Sequence, residues 1–203
     1  MTSKKGNLAI LGAGSHSSVV KDIALLNGYE NICFFDDYKQ KDNKLLFGNI
    51  KDLIRDSKNY KFFFVAIGNN IDRKEKIKIL QNNNLNIINL IHPSSVVCNN
   101  VKLDIGIAVM ANVSINANVK INNGCIINTS AIIDHDCLIS EYSHICPGVN
   151  LAGNVKIGKL SWIGIGSTII ENIEIQDEVF VGAGSVVINN IKAKSKVKGI
   201  PAK

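Results

Sequence analysis

The triplet Asp134-His135-Asp136 places one imidazole between two carboxylates. Histidine has an ordinary pKa close to neutral pH and is the side chain that most often serves as a general base. A neighbouring carboxylate can hold the ring and stabilise its protonated form, as the acid of a Ser-His-Asp triad does. The triplet therefore predicts proton abstraction by His135, with Asp134 or Asp136 as the orienting acid. The alternative is an exposed histidine in an ordinary acidic turn.

A second group, Gly12-Ala13-Gly14-Ser15-His16, follows an apolar run and precedes a helical pattern. Glycines after a strand let the backbone approach a phosphate, and the next helix offers free N–H groups and its positive dipole end. Asp36 lies 24 residues after Gly12, where a carboxylate could accept hydrogen bonds from a ribose or a base. The loop is compatible with a nucleotide-sugar or mononucleotide site, with NAD, or with a tight turn that binds nothing.

A six-residue repeat must position His135. Every sixth residue from Ile91 to Val187 is aliphatic, and the residue two places earlier is small or aliphatic from Val101 to Ser185. A period of six fits neither an α-helix nor an alternating strand, and it is typical of a hexapeptide solenoid built from short strands and turns. Three repeats complete a triangular coil, so residues 18 apart stack about 4.8 Å from each other.

This register places His135 at a corner of the coil, because Ile133 and Cys137 on either side of it face inward. Gly153 follows 18 residues later and stacks on the same corner. Its N–H could bind the oxyanion that forms when an amine attacks a thioester carbonyl. Alternatively, a glycine at this position merely permits a sharp turn.

The register also places His144 on the outside of a strand, in one column with Ile126, Trp162 and Phe180. An exposed apolar column usually marks a contact surface. We interpret it as a subunit interface, a cofactor surface or both. Closed symmetric assembly is the usual form of such contacts, and three-sided prisms commonly pack as trimers.

The first 90 residues follow a different pattern. Apolar runs at residues 7–11, 32–35 and 62–67 alternate with helical patterns at residues 19–26 and 72–80. Alternating strands and helices predict a parallel sheet covered by helices. We therefore predict a Rossmann-like α/β domain over residues 1–90 and a parallel β-helix over residues 91–203, with His92-Pro93 at the crossing.

Composition narrows the function classes. No signal-peptide layout is visible and the apolar runs are too short to cross a bilayer, so we expect a cytoplasmic protein without membrane contact. The five cysteines lack CxxC spacing, and we expect neither a disulfide framework nor a metal site. The formal charge of +6 fits a lysine-rich surface or an attraction for nucleotides and coenzyme A. Basic residues are not clustered with aromatics, which argues against nucleic-acid binding.

Taken together, the chain resembles the left-handed β-helix acyltransferases, in the branch of sialic acid O-acetyltransferases and PglD-type nucleotide-4-amino-sugar N-acetyltransferases. The resemblance covers nearly the whole chain, and the combination of segments is specific although each alone is not. The matching segments are Gly12-Ala13-Gly14-Ser15-His16, Phe35-Asp36-Asp37, Ala66-Ile67-Gly68-Asn69-Asn70, Leu90-Ile91-His92, Asn128-Thr129-Ser130, Asp134-His135-Asp136-Cys137, Ala152-Gly153-Asn154-Val155-Lys156-Ile157-Gly158 and Gly199-Ile200-Pro201-Ala202-Lys203.

The resemblance implies a role for each matching position. His135 would be the general base, and Asp136 would raise its basicity. Acetyl-CoA, as co-substrate, would lie along the solenoid between subunits of a homotrimer, and no metal would be needed. The residues implied to contact acetyl-CoA are His144, Gly153, Ile165 and Ala183. Those implied to bind the nucleotide-sugar are Gly14, Ser15, His16, Asp36, Asp37, Gly68 and Asn128.

The function that we predict is transfer of an acetyl group from acetyl-CoA to the amine, at C4, of a nucleotide-linked amino-sugar used in bacterial surface glycan or glycoprotein synthesis. One alternative is acetylation of a hydroxyl, as in sialic acid O-acetylation. A γ-type carbonic anhydrase would need three zinc-binding histidines, whereas the solenoid offers only His135 and His144. A non-enzymatic solenoid would need neither the glycine loop nor a carboxylate-flanked histidine. The sequence does not indicate which nucleotide or sugar is used.

Overall fold

A computed structural model of the chain describes residues 5–38 and 46–203. The chain divides into two compact units, Met1–Pro93 and Ser94–Lys203. The predicted boundary, after residue 90, precedes this division by three residues. None of the helices in the described ranges is long and apolar enough to cross a membrane.

The N-terminal unit contains a parallel sheet of four strands in the order β3-β2-β1-β4. Its strands are β1 (Leu8–Leu11), β2 (Ile32–Phe35), β3 (Leu46–Gly48) and β4 (Phe62–Val65). Its helices are α1 (Ser15–Leu26), α2 (Ile50–Arg55) and α3 (Asn70–Asn82), with a 3-10 turn at Ser57–Asn59. The residues of β1 are all apolar and at most 1% exposed, so this strand forms the centre of the core.

The strand order fixes where a ligand can bind. Strand β1 lies between β2 and β4, so the chain crosses to the other side of β1 after β2 and β3. Ligands of open α/β sheets bind outside the carboxyl ends of the strands at such a reversal. The glycine loop and the segments after β2 and β4 all begin at that edge.

Strand β3 and helix α2 are additions to the predicted pattern. A strand of three residues has too little periodicity to be recognised from sequence. Helix α2 begins with a capping box, in which the Asn49 side chain accepts from the Asp52 N–H and the Asp52 side chain accepts from the Asn49 N–H.

From β5 (Leu90–Ile91) onward the chain forms two-residue strands, six residues apart until the last. In the second unit they build three parallel faces. The strands of the first face are β6 (Val96–Val97), β9 (Ser114–Ile115), β12 (Ile132–Ile133), β15 (Asn150–Leu151), β18 (Thr168–Ile169) and β21 (Val186–Val187). The second face contains β7 (Lys102–Leu103), β10 (Lys120–Ile121), β13 (Leu138–Ile139), β16 (Lys156–Ile157) and β19 (Glu174–Ile175). Along the third face lie β8 (Ala108–Val109), β11 (Ile126–Ile127), β14 (His144–Ile145), β17 (Trp162–Ile163), β20 (Phe180–Val181) and β22 (Lys196–Val197).

The predicted 18-residue register is confirmed. Ile133 pairs with Ile115 in one neighbouring coil and with Leu151 in the other, and all three side chains are at most 1% exposed. The stacked aliphatic side chains therefore fill the prism and leave the corners to carry polar groups.

Each corner contains a residue in the left-handed conformation. Every sixth residue from Gly106 to Gly184 has a φ between 57° and 69°. Glycine and asparagine occupy many of these positions because they tolerate this conformation best. Two corners contain predicted site residues. The His135 corner joins the first and second faces and contains residues 117–118, 135–136, 153–154 and 171–172. The Ile165 corner joins the third and first faces and contains residues 147–148, 165–166 and 183–184.

Candidate active site

His135 projects from its corner, as the register predicts, with 58% of its side chain exposed. Its Nδ1 lies 2.7 Å from Oδ2 of Asp136. Hydrogen bonds from the imidazole and from Asn118 hold the pKa of Asp136 below its usual value, so the carboxylate is ionised and accepts this bond. The proton of the neutral imidazole therefore lies on Nδ1, and Nε2 keeps the lone pair that a general base needs.

The two aspartates beside His135 have different contacts. Asp134 Oδ1 accepts from the backbone N–H of His135 at 2.8 Å and from the Asn116 amide at 2.7 Å. Asp134 therefore holds the backbone, whereas Asp136 holds the ring. The hydrogen bond to Asp136 is the largest cause of a raised His135 pKa, and the charge of Asp134 adds to it.

Gly153 lies directly under the imidazole. A Cβ added to it would be 2.7 Å from both Nε2 and Cε1 of His135, closer than real Cβ atoms approach. Gly153 is buried, and among the described residues no acceptor is found for its N–H. One corner thus combines an imidazole whose Nε2 has a free lone pair with a backbone N–H that has no acceptor among the described residues. A general base and an oxyanion donor for acyl transfer would need this pairing.

The structure corrects the predicted exposed column on the third face. The register is as predicted, because His144 pairs with Ile126 and with Trp162, but Ile126 and His144 are only 1% and 5% exposed. The Trp162 ring covers the imidazole at a centroid distance of 4.4 Å. The Asn128 amide lies 3.0 Å from Nε2 of His144. Only Trp162 and Phe180, whose rings stack 6.5 Å apart, remain accessible on this column.

The predicted acetyl-CoA contacts do not meet within one chain. Gly153 shares the His135 corner, but Ile165 and Ala183 lie exposed on the Ile165 corner, and His144 precedes that corner on the third face. The first face separates the two corners. Asn128 contacts His144 and accepts from the Thr129 N–H at 2.8 Å, so it also belongs to this second group.

The other predicted residues come together in the N-terminal unit. A cavity of about 300 Å³ opens at the carboxyl ends of β1, β2 and β4. The six residues predicted there all line it: Gly14, Ser15, His16, Asp36, Asp37 and Gly68. Tyr38, Ile67, Asp72, Glu75 and Lys76 complete much of the wall.

The glycines of this cavity serve two different purposes. A Cβ on Gly12, whose φ is 108°, would be 2.7 Å from the Ala66 carbonyl oxygen, so this glycine is needed for the fold. A Cβ on Gly14 or on Gly68 would meet no atom within 4 Å, and neither has a left-handed φ. Their missing side chains keep cavity space open, which is what a bound ligand needs.

Helix α1 begins at this cavity with Gly14 as its N-cap, and no side chain caps it. The first N–H groups of a helix lack intrahelical partners and carry the positive end of its dipole. His16 lies in this first turn, and its buried Nε2 has no hydrogen-bond partner among the described residues. Burial and the nearby charge of Arg73 lower the pKa of His16 to about 4, so its ring is neutral at physiological pH.

Two carboxylates and one amide, those of Asp36, Asp37 and Asn69, brace the loops around the cavity. Asp36 accepts from the backbone N–H groups of Ala13 at 2.7 Å and Tyr38 at 2.8 Å. Asp37 forms an ion pair with Lys76 at 2.8 Å and accepts from the Ile50 N–H. Asn69 caps α3 by accepting from the N–H groups of Ile71 and Asp72.

Sequence reasoning missed Arg73, Lys76 and Asn118. Arg73 is 1% exposed and donates to the carbonyls of Ile67 and Gly68 and to the Asn70 side chain. The sequence did contain a signal for Arg73, because it lies at helical spacing from Ile77 and Leu80, on the buried face of α3. Lys76 and Asn118 gave weaker signals, because their partners lie 39 and 18 residues away. Across the described residues, no cluster of three or more His, Cys, Asp or Glu side chains could hold a metal ion.

Comparisons with known proteins agree with this architecture. Residues 7–80 match the family model described as the PglD N-terminal domain. A histidine-to-alanine variant of GDP-perosamine N-acetyltransferase from Caulobacter crescentus, in complex with CoA and GDP-perosamine, is 33% identical, with a TM-score of 0.93 and coverage of 98% of this chain and 96% of that one. The acetyltransferase domain of PglB from Neisseria gonorrhoeae, in complex with acetyl coenzyme A, is 35% identical, with a TM-score of 0.93 and coverages of 98% and 99%.

A third structure, WeeI from Acinetobacter baumannii, shares the fold at 23% identity, with a TM-score of 0.87 and coverages of 98% and 99%. An α/β unit joined to a hexapeptide solenoid with a histidine at one corner defines the class. The chain belongs to the left-handed β-helix sugar acetyltransferases, the family that the sequence resembles.

Proposed function

We propose that this protein transfers the acetyl group of acetyl-CoA to the C4 amine of a nucleotide-linked amino-sugar. The observation that carries the proposal is the His135 corner. There an ionised carboxylate fixes the proton on Nδ1, and the unprotonated Nε2 lies over Gly153, whose backbone N–H has no acceptor among the described residues. The relatives solved with CoA, acetyl-CoA or GDP-perosamine support the same chemistry.

In the proposed mechanism, Nε2 of His135 removes a proton from the amine nitrogen as that nitrogen attacks the thioester carbonyl carbon. Asp136 stabilises the imidazolium that forms. The Gly153 N–H donates to the carbonyl oxygen as negative charge develops on it. When the carbon–sulfur bond breaks, the imidazolium returns the proton to the CoA sulfur. The products are the N-acetyl-sugar and CoA-SH, and His135 is again neutral.

Direct transfer agrees with the state of two buried cysteines of the solenoid, Cys137 and Cys146. Burial raises the pKa of Cys137 to about 11 and that of Cys146 to about 12. The thiolate, not the thiol, is the nucleophile, so neither residue is suited to carry an acetyl group.

The cavity at β1, β2 and β4 supports binding of the nucleotide part. The uncapped N-terminus of α1 suits a diphosphate, because free N–H groups and the helix dipole both favour negative charge. Gly14 and Gly68 leave room for it. The Asp37–Lys76 pair and Asp36 offer a cation and acceptors for the ribose and base.

We further propose that the enzyme is a homotrimer with its active sites between subunits. His135 and Gly153 occupy one corner, whereas His144, Asn128, Ile165 and Ala183 surround another. If both groups contact acetyl-CoA, the second group must come from a neighbouring copy. The accessible Trp162 and Phe180 rings supply apolar surface for such a contact.

The proposal is tested by release of CoA thiol with UDP-, dTDP- and GDP-linked 4-amino-sugars as acceptors. We expect turnover with one of them, and we expect His135→Ala to lower kcat about 10²–10⁴-fold with the oligomer intact. Unchanged kcat in this variant would contradict the mechanism.

Two matched variants separate the aspartates. Asp136→Asn removes the charge that stabilises the imidazolium and leaves one acceptor oxygen for two donors, His135 Nδ1 and Asn118 Nδ2. We expect it to lower kcat far more than Asp134→Asn, which leaves the ring contact in place. Free sialic acid in the same assay tests the hydroxyl alternative. If CoA thiol is released with sialic acid as acceptor and with none of the amino-sugars, the activity is O-acetylation and not N-acetylation.

A further inference from the structure

The carboxylate that orients His135 is itself held from the coil below. Asn118 is stacked 18 residues before Asp136 on the His135 corner, and its Nδ2 donates to Oδ1 of Asp136 at 3.0 Å. The other oxygen, Oδ2, accepts from His135. We propose that Asn118, itself held by Asn100, is a positioning residue that fixes Asp136 on the imidazole of the base. The proposal rests on the function proposed above.

The contacts determine which end of each amide faces which partner. The Asn118 backbone N–H donates to Oδ1 of Asn100 at 3.3 Å, so the Asn100 amide nitrogen faces the Asn118 side chain. That nitrogen donates to Oδ1 of Asn118 at 2.6 Å. Only Nδ2 of Asn118 is then left to face Asp136. The Asn118 backbone N–H can only donate, so it fixes the orientation of the Asn100 amide and, through it, the orientation of the Asn118 amide.

Asp136 needs a second point of attachment because it is exposed. Its side chain is 51% exposed, and an exposed carboxylate held at one oxygen can rotate away from its partner. Each rotation would release Nδ1 and let the imidazole change tautomer or orientation. The bond from Asn118 to the other oxygen opposes that rotation. Positioning errors near a reacting centre are costly, so a single amide can influence the rate without touching substrate.

The solenoid provides a matched control on the same corner. Asn118, Asp136, Asn154 and Asn172 all have a left-handed φ between 59° and 63°. Asn154 donates to Asn172 at 2.9 Å, a bond of the same kind between neighbouring coils. Asn172 contacts neither Asp136 nor His135 through its side chain. Glycine at position 118 or 172 causes no backbone strain, because Gly124 and Gly148 already adopt the left-handed φ at other corners.

The experiment compares Asn118→Gly, Asn100→Asp and Asn172→Gly with the unmodified protein. For Asn118→Gly we expect kcat to fall about tenfold with KM for both substrates within twofold, since one charge-assisted hydrogen bond is lost. NMR titration of the His135 ring should show its pKa falling toward the ordinary histidine value, and the low-pH limb of the rate profile should move to lower pH.

Asn100→Asp tests the direction of the chain. The aspartate still accepts from the Asn118 N–H but has no donor for Oδ1 of Asn118. The Asn118 amide then lies between two carboxylates that compete for its single NH2 group, so its bond to Asp136 is weakened or lost. We expect a loss of kcat from a residue 36 positions before Asp136, with Asn172→Gly unchanged within twofold.

Unchanged kcat and an unchanged His135 titration in Asn118→Gly would overturn the proposal. An equal loss in Asn172→Gly would also overturn it, because the effect would then belong to the corner and not to Asp136. The NMR titration needs no substrate, so it tests this inference even if the unmodified protein transfers no acetyl group, the result that would refute the proposed function.

Discussion

Replacing Gly153 by alanine tests the geometry of the base most directly. The added Cβ would lie 2.7 Å from Nε2 and Cε1 of His135, whereas ordinary contacts begin at 3.4 Å. The ring must therefore retreat by about 0.7 Å, the difference between these distances. Because Nδ1 is held to Asp136 at 2.7 Å, a ring that moves this far lengthens or breaks that bond.

We expect Gly153→Ala to lower kcat about 10²-fold, the cost of a displacement of roughly 1 Å at a reacting centre. The free energy of unfolding should change by less than about 1 kcal/mol. Gly153 has no left-handed φ to make alanine strained, and the exposed imidazole can swing into solvent. The low-pH limb of the rate profile should move down, because the raised pKa of His135 depends mainly on its bond to Asp136.

The assay is thiol release together with denaturant unfolding of the same samples. A double-mutant cycle supplies the control: in a His135→Ala background, Gly153→Ala should change kcat by less than twofold, since the ring it displaces is gone. Full activity in the single variant, or an additive loss in the double variant, would refute the argument.

Two predictions concern the nucleotide cavity. The pKa of His16 is lowered from 6.5 to about 4, so the unfolded chain binds the extra proton between these values and stability falls as pH drops through that window. His16→Gln should remove up to about 3 kcal/mol of this pH dependence of the free energy of unfolding. Urea unfolding from pH 7 to pH 4 measures it, and parallel curves of unfolding free energy against pH for both proteins would contradict the prediction. Arg73→Met takes the donor from the half-buried carbonyls of Ile67 and Gly68 and from the buried Asn70 side chain, so the free energy of unfolding should fall by about 3 kcal/mol. The pKa of His16 should rise, because the charge of Arg73 helps to lower it. Lys78→Met on the exposed face of α3 should change neither quantity.

The sequence was sufficient to predict the solenoid and the phase of its side chains. The aliphatic series that includes Ile115, Ile133 and Leu151 fixed which residues point inward, and Ile133 and Cys137 then placed His135 at a corner. A strict period leaves no freedom in that assignment, since a shift by one residue would expose every isoleucine. The glycine loop and the acidic residues after β2 were predictable for a similar reason, because strand ends of a parallel sheet meet at one edge.

Contacts that depend on side-chain rotation were not predictable. Spacing alone allowed either Asp134 or Asp136 to hold the imidazole, and the choice depends on the left-handed backbone at Asp136, with φ of 60°. The burial of His144 depends on the rotamer of Trp162, one coil away. The pair Asp37–Lys76 joins residues far apart in sequence, so no local pattern predicts it.

The identical pitch of the coils also determines how the chain can change length. An insertion or deletion of 18 residues returns every later side chain to the face it already occupied. The cross-section of the prism is then preserved, and only its length along the solenoid axis changes, by one coil. A six-residue change also preserves the interior, but it rotates all later residues by one face. Placed between His135 and Gly153, it would carry the glycine to a different edge of the prism. Natural variants of this scaffold should therefore vary in length by whole 18-residue coils near His135. Changes by a single six-residue repeat should occur only farther from it along the chain.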